Sequence, residues 1–251
     1  MCLIVFAHYT HPKYPFILLA NRDEYYERPT QQLGFWDKEA ALIGGRDLRA
    51  GGTWLAMNRS GAFAAVTNVR MSVVQPHAKG RGSLPIDFLK SSQTSEAFMR
   101  RLLNQKAMYN GFNLLTRREE TLLHFNNQVG IINQVSPGIH GLCNASLNTS
   151  WPKLEELKKR FKLTIEKEFD KEGLLNLMMD KQIFQDELLP ETGITQEMER
   201  ALSSIFIDMP TYGTRSTALI IIDNHNVVDL TEITYKPKQK DNRKHFTFKI
   251  L

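Results

Sequence analysis

Several strand-like segments of this chain are apolar on both faces, and this feature limits the folds open to it. The segments are CLIVFA at 2–7, FILLA at 16–20 and TALIII at 217–222. Successive side chains of a strand alternate between its faces, so each segment needs cover on both sides, whereas an antiparallel sheet usually leaves one face to water. Two antiparallel sheets packed face to face, with helices outside them, meet that need. We therefore predict an α+β fold, a four-layer αββα sandwich.

The first two strands are predicted to form an antiparallel hairpin, because a short turn with two prolines joins 2–8 to 16–20. A polar loop is predicted at 21–29, and a second hairpin at 53–68. The sequence shows no repeat and no clear linker, so we predict one domain over 1–251. The other predicted elements are helices at 83–105, 151–169, 172–180 and 196–204, strands at 112–117, 120–125, 130–135, 140–145, 217–223, 227–235 and 245–250, and a solvated turn at 236–244.

Composition restricts the classes of partner and compartment. The net charge of +5 suits a small anionic or acylated ligand and does not by itself indicate nucleic-acid binding. Two cysteines are too few for a disulfide scaffold, which favours a reducing, cytoplasmic compartment. We expect no secretory signal and no membrane span, since the amino-terminal apolar run is short. The oligomeric state is left open.

Cys2 is the first candidate for chemistry, provided that Met1 is removed. The mature chain then carries a thiol and a free α-amine on one residue, with pKa values of about 8.5 and about 8. The amine can act as the general base for its own side chain. Alternatively, Cys2 is a strand residue with no chemical role, because cysteine is common in buried strands.

Four further residues could complete a site with Cys2. Arg22 and Asp23, in the segment NRDE (21–24), could stabilise a thiolate and orient the amine, or could form an ion pair that closes a loop. Asn144 could donate to an oxyanion, or could be a turn residue before the next helix. Arg215 enters a late strand and could meet the same sheet edge. The histidines have no metal-ligand spacing, so we predict no metal site.

Eight blocks in order along most of the chain carry a family resemblance. The sequence resembles the NRDE proteins, also called the transport-and-Golgi-organisation family, named for residues 21–24. The blocks are MCLIVF, LLANRDEYYERP, GGTWLA, AAVTNVR, KGRGSLPIDFL, YNGFNLL, GLCNASLNTSWPK and YGTRSTALIIID.

The resemblance implies an amino-terminal-nucleophile (Ntn) hydrolase fold, and cysteine acylases are the most similar chemistry within it. It makes Cys2, Arg22, Asp23, Asn144 and Arg215 the matching catalytic candidates. The acylases separate the arginine from the aspartate by two residues, whereas Arg22 and Asp23 are adjacent. Adjacent strand residues point to opposite faces, so Glu24 is a rival to Asp23.

Two functions follow from the resemblance. The first is hydrolysis of a non-peptide C–N amide bond through a thioester on Cys2, with no cofactor required. The second is non-enzymatic binding and trafficking of haem or of an acyl lipid or acyl-CoA in the same cleft, because the family is associated with haem trafficking and lipid metabolism. No residue pattern of the chain identifies haem or a lipid.

Overall fold

Two antiparallel sheets organise the residues that the computed structural model describes, which are 2–36, 42–71, 73–235 and 241–251. One sheet has six strands and the other has seven. The strands are β1 (Cys2–His8), β2 (Phe16–Tyr25), β3 (Thr30–Phe35), β4 (Ile43–Asp47), β5 (Leu55–Met57), β6 (Phe63–Asn68), β7 (Phe112–Arg118), β8 (Thr121–Asn126), β9 (Ile131–Gln134), β10 (Gly138–Leu142), β11 (Tyr212–Ile222), β12 (Val227–Thr234) and β13 (Asn242–Lys249).

The two sheets differ in connectivity. The six-stranded sheet has the order β10-β1-β2-β11-β12-β13, so strands from both ends of the chain lie beside the first hairpin. The seven-stranded sheet runs β3 to β9 in chain order, each strand beside the next. The helices are α1 (Ser83–Lys90), α2 (Ser95–Leu103), α3 (Pro152–Ile165), α4 (Lys171–Leu177) and α5 (Gln196–Ala201).

The chain divides into two compact units. The first comprises 1–27, 137–143 and 147–247, and the second comprises 28–136, 144–146 and 248–251. In the first unit α3 and α4 contact the six-stranded sheet, and in the second α1 and α2 contact the seven-stranded sheet. Each unit therefore combines an antiparallel sheet with helices, which confirms the predicted α+β class. The single-domain prediction stays a prediction.

Helix α3 covers one face of the six-stranded sheet because its apolar stripe matches that face. Leu154, Leu157 and Phe161 recur at helical spacing and are fully buried. Gly141 on β10 leaves room for Leu154, since a Cβ at Gly141 would lie 2.9 Å from the Cγ of Leu154. The helix-covered face is therefore the one that carries Gly141 and its partner on β1, Val5.

The predicted polar loop at 21–29 is wrong in its first half. Strand β2 continues to Tyr25, because β11 pairs with it as far as Tyr212 opposite Tyr25. This pairing supplies backbone hydrogen bonds, which make the strand conformation favourable even for a polar segment. Strands β3 and β4 were not predicted, and the helices α1 and α2 were predicted as one helix. The predicted turn at 236–244 lies mostly outside the described residues.

Candidate functional site

The register of the first hairpin places Cys2 directly opposite Arg22. Strands β1 and β2 pair without interruption from Cys2 opposite Arg22 to His8 opposite Phe16. Paired residues of an antiparallel sheet share a face, so the thiol and the guanidinium lie on the same side. That side is opposite to the helix-covered face, because Leu3 and Asn21 occupy the helix-covered side. The sequence alone leaves the separation of Cys2 and the NRDE segment open, and the register makes Cys2 and Arg22 a direct cross-strand pair.

The thiol of Cys2 is protonated at neutral pH. Burial is the main cause that raises its pKa to about 11; the negative charges of Asp23 and Glu24 also raise it, and the positive charge of Arg22 lowers it. The residue as a whole remains partly exposed. The thiol therefore needs a base to remove its proton before it can act as a nucleophile.

We expect alkylation of Cys2 by iodoacetamide to accelerate about tenfold for each pH unit up to a pKa of about 11, in protein that retains Met1. The reason is that the thiolate fraction rises with pH throughout that range. Peptide mass spectrometry of a Cys143→Ala variant measures Cys2 alone. A plateau near the ordinary thiol pKa of 9.0 would contradict the buried thiol.

A β-bulge adds Arg215 to this edge of the sheet. Thr214 pairs with Asp23 and Ser216 pairs with Arg22, so Arg215 is the extra residue on β11. Its Nη1 donates to the carbonyl oxygen of Tyr25 at 2.7 Å. Burial lowers the pKa of Arg215, the charge of Arg22 lowers it further, and the charge of Glu24 raises it. The guanidinium groups of Arg22 and Arg215 and the carboxylate of Glu24 therefore lie close together, with Cys2 opposite Arg22 on the neighbouring strand.

Gly213 is required next to this bulge. A Cβ at Gly213 would lie 2.5 Å from the carbonyl oxygen of Ile207 and would overlap the hydroxyl of Tyr26. Backbone cannot yield as readily as a flexible side chain, so only glycine fits without a shift of β11. This contact explains the glycine of the motif YGTR.

We expect Gly213→Ala to lower the free energy of unfolding by about 2 kcal/mol, because the added methyl group overlaps backbone. Gly80→Ala is the matched control, since a Cβ there meets nothing within 4 Å. Chemical denaturation of both variants measures the difference. Equal stability of the two variants would show that β11 accommodates the methyl group.

Asp23 lies on the helix-covered face of β2, opposite to the face of Cys2, although its charge still acts on the Cys2 thiol. Its Oδ1 accepts a hydrogen bond from Thr214 Oγ1 at 2.8 Å, and Thr214 Oγ1 accepts one from the backbone N–H of Ile207 at 2.9 Å. The residue is 2 % exposed, and burial raises the pKa of its carboxyl group. Glu24 is one position further along β2 and therefore shares the face of Arg22. The catalytic role predicted for Asp23 stays a prediction.

Asn21 ties β2 to the segments that cover it. Its Nδ2 donates to the carbonyl oxygens of Met178 and Ile205, each at 3.0 Å. Its Oδ1 accepts a hydrogen bond from Thr217 Oγ1 at 2.6 Å. The asparagine of the NRDE segment thus satisfies three buried polar groups and holds the strand that carries Arg22.

Asn144 belongs to the second unit and follows β10. Its Nδ2 donates to the backbone carbonyl oxygen of Asn68 at 2.9 Å, and its backbone carbonyl oxygen accepts from the N–H of Arg70 at 2.9 Å. The side chain is buried, and the bond to Asn68 orients it. Its predicted role as an oxyanion donor stays a prediction. Cys143, the preceding residue, is buried.

A row of buried polar side chains, which the sequence analysis missed, supports the segment around Asn144. Asn113 Nδ2 donates to Ala145 O at 2.7 Å, and Asn126 Nδ2 donates to Ser146 Oγ at 2.9 Å. Asn113 Oδ1 accepts from Asn126 Nδ2 and from His124 Nε2, each at 3.0 Å. Asn113, His124 and Asn126 share one face of the seven-stranded sheet, since Asn113 pairs with Asn126 and His124 is two positions away on β8. Polar residues at alternate positions of an apolar strand are the signal that could have revealed them.

Neither a metal cluster nor a spanning helix is present in the described part of the chain. Among those residues, no group of three or more histidine, cysteine or acidic side chains could hold a metal ion. Within the same ranges, no helix combines the length and the apolar character needed to cross a membrane.

Most of the chain matches one family of known proteins. Residues 1–237 match the family described as Transport and Golgi organisation 2. The chain belongs to this family. It is 31% identical over 92% of its length to the mouse Transport and Golgi organization 2 homolog, covering 92% of that protein. The human homolog is likewise 31% identical, with 92% of each chain covered. The Drosophila melanogaster protein is 25% identical, with 93% of this chain and 92% of that protein covered.

Two solved structures show a weaker similarity to this family member. The Caenorhabditis elegans ortholog of N-acylethanolamine-hydrolyzing acid amidase aligns with a TM-score of 0.44 and 10% identity, over 88% of this chain and 92% of that chain. The C2A mutant of the conjugated bile acid hydrolase from Clostridium perfringens aligns with a TM-score of 0.44 and 10% identity, over 99% and 97% of the two chains.

Proposed function

We propose that the protein is a cysteine hydrolase of amide bonds, with Cys2 as the nucleophile once Met1 has been removed. The observation that carries this proposal is the cross-strand pair of Cys2 and Arg22, with Arg215 added beside it by the bulge. A cation next to a thiol stabilises the negative charge that develops during attack.

Burial of Cys2 favours the protonated thiol, so attack needs a base, and the α-amine that removal of Met1 frees is a group that can serve. An α-amino group has a pKa of about 8, so about one tenth of it is unprotonated at pH 7 and able to accept a proton, a fraction that rises as the pH rises. It belongs to the same residue as the thiol, and no movement is needed to bring the two together. This supports a mechanism of the amino-terminal-nucleophile type.

The reaction then proceeds in two stages. The Cys2 thiol gives its proton to the α-amine as Sγ bonds to the amide carbonyl carbon, and collapse of the resulting oxyanion breaks the C–N bond. The leaving amine takes the proton from the α-ammonium group, which leaves a thioester on Cys2. Water attacks the thioester and gives a proton to the α-amine; the S–C bond breaks, the thiol is restored and a carboxylic acid departs.

The two arginines favour a substrate that carries an anionic group near the amide. Arg22 and Arg215 contribute two positive charges, and Glu24 contributes one negative charge. The excess of positive charge suits a carboxylate, which arginine can bind through two parallel hydrogen bonds. An N-acyl amino acid has this chemistry.

Hydrolysis of a matched pair of substrates tests the proposal. We expect protein with a free Cys2 amine to hydrolyse an N-acylglycine at least about tenfold faster, in kcat/KM, than the neutral N-acylethanolamine of the same chain length. Cys2→Ala is expected to abolish both reactions, whereas Cys143→Ala leaves them unchanged. No turnover of any N-acyl amide by the processed protein, or equal turnover by Cys2→Ala, would overturn the proposal.

A second candidate is non-enzymatic binding of haem or an acylated anion at the same arginines. The position of Asp23 favours it, because this carboxylate lies on the face opposite to Cys2 and its Oδ1 accepts from Thr214. Retained binding of haem or an acyl-CoA by the Cys2→Ala variant, together with weaker binding by Arg215→Gln, is the expected result under this candidate. Absence of binding at micromolar ligand excludes it.

A further inference from the structure

A cavity of about 840 Å³ lies in the first unit at the end of β1 opposite to Cys2. The turn between β1 and β2 forms one side, and the end of α3 with the segment that follows it forms the other. The seven residues of β1 separate it from Cys2 by about 20 Å at the usual rise of a strand. Its volume is within the range of small-molecule sites in proteins. It is therefore separate from the candidate active site.

Three aromatic rings form a continuous wall of this cavity. His11 and Tyr14 stack with centroids 4.8 Å apart, and Phe169 lies 5.6 Å from each. Ile139 and the buried Ile165 add apolar surface. The rings of His11 and Tyr14 are inclined by only 25° and offer a ring face on which another flat ring can stack, whereas Phe169, inclined by 74° to His11 and 54° to Tyr14, can meet that ring edge to face.

The turn that carries two of these rings is held by hydrogen bonds. Asn224, in the turn between β11 and β12, donates from its backbone N–H to Lys13 O at 3.1 Å and from Nδ2 to Pro12 O at 2.7 Å. Lys13 N–H donates to His11 Nδ1 at 3.1 Å. His11 Nδ1 therefore acts as the acceptor, and Nε2 carries the proton of the neutral ring. An ordered turn loses less entropy when a ligand binds.

The charges at the rim favour a ligand with a single negative charge. Lys13, Lys162 and Lys167 line the cavity together with Glu166 and Glu168. Lys162 and Glu166 form an ion pair at 3.7 Å, which leaves two ammonium groups against one carboxylate. When one anionic group occupies Lys13 and Lys167, the further anionic groups of a polyanion face Glu168 and a lysine that is already paired with Glu166, so they add repulsion and no new ion pair.

We propose that this cavity binds a small flat aromatic ligand that carries one anionic group, with the ring stacked on the wall of His11, Tyr14 and Phe169 and the anion held by Lys13 and Lys167. The site is independent of Cys2 and of the proposed hydrolysis. The site recognises its ligand by the aromatic ring and by the single negative charge. A neutral aromatic molecule or a polyanion is therefore bound less tightly than an aromatic monoanion.

Isothermal titration with three naphthalene probes tests the proposal on the full-length protein. Naphthalenesulfonate is the monoanion, naphthol is neutral and naphthalenetrisulfonate is a trianion. We expect the monoanion to bind at least about fivefold more tightly than either of the other two, a difference that adding salt reduces. Equal affinities for the three probes, or no heat with the monoanion at millimolar concentration, would overturn the proposal.

Single-residue variants test whether the naphthalenesulfonate probe binds in this cavity. Tyr14→Ala removes a ring, Lys167→Gln removes an exposed charge, and Asn224→Ala releases the turn without altering a residue that lines the cavity. Each is expected to weaken monoanion binding about fivefold or more. Lys244→Gln, at a lysine outside the cavity lining, is the matched control and is expected to bind as the wild type does. Cys2→Ala is also expected to bind normally. Unchanged affinity in Lys167→Gln and Asn224→Ala would place the probe elsewhere and contradict the proposal.

Discussion

Replacing Asn21 with alanine is expected to lower the free energy of unfolding by about 3 kcal/mol, one of the two largest effects that the structure predicts. The substitution removes three hydrogen bonds and leaves the carbonyl oxygens of Met178 and Ile205 and the hydroxyl of Thr217 without this partner. Asn21 is fully buried, so water cannot replace those contacts without rearrangement. Urea denaturation followed by circular dichroism measures the change.

The exposed asparagine Asn176 provides the control for this prediction. It lies on helix α4, and Asn176→Ala is expected to change stability by less than about 0.5 kcal/mol. A loss of stability in Asn21→Ala no larger than that in Asn176→Ala would show that Asn21 does not hold β2 in place. The NRDE asparagine would then need another explanation.

His124 is expected to make the protein markedly less stable as the pH falls below neutrality. Burial lowers the pKa of this imidazole from 6.5 to about 4. Between these two values the unfolded chain binds a proton at His124 and the folded protein does not, so stability falls as the pH falls. The difference between the two pKa values corresponds to a contribution of about 3 kcal/mol to the free energy of unfolding. This contribution is lost as the pH falls from 6.5 to 4.

The variant His124→Gln isolates this effect. A glutamine can donate an N–H to Asn113 as His124 Nε2 does, but it has no proton to gain. We expect the wild type to lose about 3 kcal/mol more than the variant over the same pH interval. Denaturation at a series of pH values measures both slopes, and parallel slopes would contradict a buried neutral imidazole.

The first hairpin was predictable because its signal is local. Apolar residues on both faces of 2–8 and 16–20, joined by a short turn, specify two paired strands, and the structure confirms them. The extension of β2 through the NRDE segment was not predictable in the same way. A polar sequence becomes a strand here only because β11, almost two hundred residues later, pairs with it.

In the candidate site, too, local features could be predicted from the sequence, whereas contacts between distant segments could not. The sequence indicated that Cys2 and Arg22 could be close, but their separation depends on the register, which the turn alone does not determine. The bulge at Arg215 arises from the pairing of β2 with β11. The support of Asn144 by Asn113 and Asn126 depends on the order of strands in the second sheet. Contacts between distant segments carry these features, and a pattern within one segment does not contain them.

The most direct test of the central claim is the intact mass of the protein purified from its native host. A Cys2 nucleophile that uses its own α-amine as the base requires a free amine on Cys2. We expect a mass lower than that of the full sequence by one methionine residue, and an amino-terminal peptide that begins at Cys2. A native protein that retains Met1 in full would contradict this mechanism, because the proposed base would then be an amide nitrogen.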